Sequence, residues 1–142
     1  MDHAVKEKII ALFSQDLDQL CELDDDVYDN LIYRNTDEMQ EILETYPLDE
    51  IENVLMEYLQ TCSKKQACHF ANFFFMYGVQ DHYQAPSYPF LALLYVKMDP
   101  ATCSDMYENL FYSLYSALTH ESYWKCEPLE NQEFLRALDA IK

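Results

Sequence analysis

Glycine is nearly missing from this chain: Gly78 is the only one in 142 residues, and five more residues are proline. A loop that cradles phosphate needs glycines where backbone meets anion, and repeated hairpins need residues that accept positive φ. Both are excluded. Basic residues are scarce as well, nine against 26 acids, for a formal net charge of -17. No basic patch exceeds Lys64 and Lys65, which argues against direct binding to nucleic acid. Uncharged runs stop at 15 residues, as in 66–80, where His69 and Asn72 interrupt the apolar side chains. That is too short to span a bilayer, so no membrane association is expected. The opening MDHAVKEK has neither a basic n-region nor an apolar h-region. Five cysteines (Cys21, Cys62, Cys68, Cys103, Cys126) are an odd number, and without a leader they read as reduced thiols in a cytoplasm.

What is present is apolar side chain, half of the residues, in a chain long enough to bury a sizeable core. The expectation is one domain over 1–142, an all-α bundle of six to eight helices with short connections. Val5, Ile9, Leu12, Phe13, Leu17, Leu20, Leu23, Val27 and Leu31 keep one helical phase. They predict one long helix or two in register, with Asp24 capping the second. Thr36 reads as the N-cap of a short helix carrying Met39, Ile42, Leu43 and Tyr46, which Pro47 stops. Asp49 or a neighbour opens the next, with Ile51, Val54, Leu55, Tyr58, Leu59 and Cys62 as its buried stripe. Ser63 caps a helix from Lys64 that Gly78 is placed to close. Its Phe70, Phe73, Phe74, Phe75 and Met76 leave little polar face, which predicts a central position or an interface.

After a loop at 78–89, the run PFLALLYVKM reads as a buried helix. Asp99 and Pro100 look like the N-cap and first residue of a helix whose seam is Cys103, Met106, Tyr107, Leu110, Phe111, Leu114, Tyr115 and Leu118. Glu127 and Pro128 open a last helix in the same way, burying Phe134, Leu135, Leu138 and Ile141.

Chemistry-bearing constellations are few. Cys62, Cys68 and His69, with His120 and Cys126, lack the paired ligand spacing of a zinc site, so no metal and no cofactor is expected. A thiol or metal enzyme around Cys68 and His69 is the weakest of three readings. Asp24, Asp26 and Asn30 fall short of a calcium loop, because Asp29 and Asn35 stand where glycine and glutamate are required.

Charge distribution is the informative feature. Residues 1–60 hold 17 acids against Lys6, Lys8 and Arg34, whereas residues 61–142 hold nine against six. The stretch QDLDQLCELDDDVYDN at 15–30 has seven acids and no basic residue. On a continuous helix Asp18, Glu22, Asp25, Asp26 and Asp29 form one face, with Glu41 and Glu44 as extensions, at an axial density close to the phosphate repeat of a DNA strand. The leading expectation is therefore a non-enzymatic acidic protein that docks on a basic, nucleic-acid-handling partner. It would act as an inhibitor in the style of a nucleic-acid mimic, as phage or mobile-element anti-defence proteins such as anti-CRISPRs do. The alternative is a helical adaptor or homo-oligomer, a homodimer for example, that binds through the loop at 78–89, with Tyr83 and Tyr88 as anchors.

Overall fold

The computed structural model describes residues 2–14, 23–74, 88–99, 105–119 and 128–141. Every regular element among them is helical. Seven α-helices follow in order: α1 (His3–Phe13), α2 (Asp25–Thr45), α3 (Leu48–Thr61), α4 (Lys64–Phe73), α5 (Tyr88–Met98), α6 (Asp105–Thr119) and α7 (Gln132–Ile141). They form the all-α bundle that the apolar periodicity predicts.

Local chemistry sets most boundaries. The Asp2 carboxylate accepts from the Ala4 N–H at the start of α1, and Ser14 ends that helix with its N–H on the Ile10 carbonyl. Proline ends α2 as predicted: Tyr46, preceding Pro47, is pushed to extended backbone at ψ 148°, because a residue before proline clashes in the helical region. Ser63 and Gln66 make a reciprocal capping box at the start of α4. Each side chain there satisfies a backbone N–H that the helix leaves unpaired.

Three predicted boundaries are corrected. For the opening apolar phase the alternative with a helix start at Asp24 holds, since Asp24 has ψ 146° and no helix passes through it. Asp24 holds the N-cap position without a side-chain cap bond. Thr36 caps nothing: α2 runs through it for 21 residues, because Asn35, Met39 and Ile42 bury one side of the helix across that point. Asp99 closes α5 instead of opening the next helix. Its N–H donates to the Tyr95 carbonyl at 3.0 Å, and its φ of 48° is the left-handed geometry of a helix end, which Asp tolerates better than most residues. Pro128 starts only a 3₁₀ turn, Pro128–Glu130. The last helix is capped by Asn131, whose Oδ1 accepts from the N–H groups of Glu133 at 2.9 Å and Phe134 at 3.1 Å.

The central helix is α5, not α4. Phe90, Leu91, Ala92, Leu93, Leu94 and Met98 of α5 are buried, and α3, α4, α6 and α7 all pack on it. α4 takes one side only, with Lys64, Lys65 and Gln66 exposed in its first turn. Two aromatic groups anchor the centre. Phe70 stacks on Phe74 at 5.6 Å, and Phe90 meets both rings edge-on. At the other end Tyr95, Phe111, Tyr115 and Phe134 pack edge to face or tilted. Such pairs add about 0.5–1.5 kcal/mol each beyond the area they bury. Ile141, predicted to be buried, is 38% exposed. It is the final residue of α7 and sits on the rim of a groove with Met56, Leu93 and Ala137.

Candidate functional site: an acidic ridge on one helix

Continuity of α2 decides the geometry of the acidic half. At 100° per residue, Asp26, Asp29, Tyr33, Asp37, Glu41 and Glu44 fall within about 120° of the helix circumference. All six are exposed. The opposite side carries buried Asn35, Met39 and Ile42, and through it α2 packs against α1. The result is a ridge about 27 Å long, from Asp26 to Glu44 at 1.5 Å per residue. Asp25 falls about 100° round from the ridge centre and lies on its flank. Asp18 and Glu22 lie outside the described residues, as do Tyr83, His120 and Cys126.

The break at Asp24 changes the charge spacing. Five carboxylates over the ridge give about one per 5.5 Å of axis, roughly three fifths of the density of phosphates on a DNA strand. The density match read on a continuous 15–30 helix is therefore lost, while Asp26, Asp29, Glu41 and Glu44 are brought onto one face. Like-charged pairs at i,i+3 and i,i+4 (Asp26 with Asp29, Asp37 with Glu41, Glu41 with Glu44) together cost roughly 0.6–1.5 kcal/mol. The local relief is small: Gln40 donates from Nε2 to the Glu44 carboxylate at 3.2 Å.

Tyr33 is the residue that sequence reasoning missed. Its side chain is 72% exposed at the middle of the ridge, seven and four residues after Asp26 and Asp29 and four before Asp37. Projection of 25–45 as one uninterrupted helix reveals it; a cap at Thr36 hides it. Tyr88, the alternative anchor, is half-buried at the first position of α5. Its hydroxyl accepts from Asn131 Nδ2 at 3.4 Å.

The thiols near α4 are set differently. Cys62 and Cys68 are free and buried. Cys68 Sγ lies 3.8 Å from the Met98 carbonyl, and Cys62 Sγ lies 3.6 Å from that of Leu59. Burial pushes the Cys62 thiol up from its ordinary value, and the nearby Lys97 ammonium only partly opposes it. A raised pKa favours the thiol over the nucleophilic thiolate. His69 is half-buried on the same helix as Cys68. Among the described residues, no group of three or more His, Cys, Asp or Glu side chains is placed to hold a metal ion. No described helix is long and apolar enough to cross a membrane. Comparison with protein-family models, with curated proteins and with solved structures finds no match for this chain.

Proposed function

We propose that this chain is a non-enzymatic binding protein that docks through the α2 ridge on a basic surface of a nucleic-acid-handling partner, as an inhibitor or regulator. One observation carries the reading: a single helix, held to the bundle by one side, presents five carboxylates and a 72% exposed tyrosine on the other. Carboxylates in a row steer and orient a cationic partner, and an exposed tyrosine adds a rigid apolar anchor at the centre of the contact. A surface needed only for solubility tolerates mixed signs. Within α2 the one basic residue is Arg34. The partner's positive surface is the kind that nucleic acid also occupies.

The test compares two charge reversals in the full chain. Replacing Asp26, Asp29 and Asp37 by Lys is expected to abolish association with a basic partner recovered at low salt. Reversing Glu130 and Glu133 on the nearly neutral half is expected to change it little. Tyr33→Ala should weaken binding by about tenfold or more, the loss of a central aromatic contact, and leave the melting temperature unchanged. Binding should fall with added salt and be competed by DNA or RNA. Equal losses from both reversals would show diffuse electrostatics in place of a site and sink the proposal.

A further inference from the structure

A second side of α2 carries a short apolar strip, Val27 and Leu31, between polar residues. Val27, Asn30, Leu31 and Arg34 line a shallow hollow of about 400 Å³, and their spacing of three, four and seven is the stripe by which helices pack. Val27 is 52% exposed, and Leu23, one turn earlier, 40%. The charge at the end of this strip selects what covers it. Arg34 is the one basic residue between Lys8 and Lys64, and it is exposed. It repels a basic partner, so the strip calls for an occupant with apolar side chains and a carboxylate level with Arg34.

The chain itself has both. Read backwards about the midpoint of Asn30 and Leu31, the stripe keeps its spacing. A two-fold axis at that point sets Arg34 of each copy level with Val27 of the other, and on the same side as Asp26, within one residue rise of about 1.5 Å along the axis. A parallel copy would instead set Asp25, Asp26 and Asp29 against themselves. We propose that a second copy of this chain docks antiparallel on this strip, burying Val27 and Leu31 across a two-fold axis and pairing Arg34 with Asp26 of the other copy. The contact is isologous, so it closes at a dimer. Its apolar strip lies beside the ridge on α2, and the two surfaces share Asp26. Acids flanking the strip repel across the axis, so this association tightens with salt, opposite to docking on a basic partner.

Sedimentation equilibrium of the full chain alone tests it, up to about 1 mM, a range that reaches the weak affinities of small interfaces. The expected result is a monomer–dimer equilibrium that strengthens with added salt. Arg34→Glu should weaken it by about tenfold or more, one lost charged pair per copy in each direction. Asp26→Lys combined with Arg34→Glu should restore it, and Val27→Asp should abolish it, with the helical circular dichroism of each variant unchanged. A chain that stays monomeric at high salt, assembly beyond a dimer, or a dimer indifferent to Arg34 overturns the proposal. None of these outcomes bears on the ridge, because no basic partner is present.

Discussion

Asn131 serves two roles with one side chain. Its Oδ1 caps α7 through two N–H groups, and its Nδ2 donates to the Tyr115 hydroxyl at 2.8 Å and to that of Tyr88. Three helices, α5, α6 and α7, therefore meet at one amide. Tyr115 is fully buried, and its hydroxyl accepts from this amide. Asn131→Ala removes the cap, worth typically about 1 kcal/mol, and takes the Nδ2 donor from a buried hydroxyl, worth about 1–3 kcal/mol more. Asn131→Asp keeps the cap but not the donor. Urea denaturation is expected to rank wild type above Asn131→Asp, and that above Asn131→Ala. If the two variants are equally stable, the cap contributes nothing, and if Asn131→Asp matches wild type, the hydroxyl contacts contribute nothing.

At the scale of elements, the decisive one is α2. Asp37→Pro distinguishes its continuity from a cap at Thr36, because proline is tolerated at the first position after an N-cap and costs about 3 kcal/mol or more inside a helix. Loss of helical circular dichroism and a large drop in urea midpoint are expected; a tolerated proline would mean that α2 is two helices. How much was legible in advance follows from what each boundary depends on. Ser63 with Gln66 three residues on, and Tyr46 before Pro47, are local signals that any context reads the same way, and both placed their helix ends correctly. Thr36 carries an equally good local signal, yet Asn35, Met39 and Ile42 are buried together, and that burial outweighs one cap bond. Asp99 and Pro128 misled for a related reason: Asp99 serves the helix behind it, and Asn131 outcompetes Pro128 as a start. Asp26 and Asp29, with Glu41 and Glu44 as extensions, were legible as one acidic surface, but that Asp37 and Tyr33 join them was not. A face depends on an unbroken helical phase, and the sequence pattern left Asp24 open and added a break at Thr36, while the backbone runs unbroken from Asp25 to Thr45.

For the molecule as a whole, the titrating groups with a resolved direction point the same way. Burial raises Tyr58, Cys62 and Tyr95 above their ordinary values, with Cys62 adding to Tyr58, and Asp99 and Glu108 adding to Tyr95. An acid whose folded pKa lies above its unfolded one contributes stability that is complete below the unfolded value and is lost as pH rises through the folded value. Stability to urea is therefore expected to hold at neutral pH and decline from about pH 8.5 upward, through the thiol and then the tyrosine range. Cys62→Ser and Tyr95→Phe should each flatten part of that decline, and an alkaline limb unchanged in both would remove its assigned cause. One arrangement has a different consequence at this scale. The ridge residues of α2 share no side of the helix with Asn35, Met39 or Ile42, so Asp26, Asp29, Tyr33, Asp37, Glu41 and Glu44 can be varied together without repacking the interior. Recognition and foldedness are thereby uncoupled, and a library randomised at those six positions should remain largely soluble and folded while sampling new binding partners, which makes this chain a scaffold on which specificity can drift quickly.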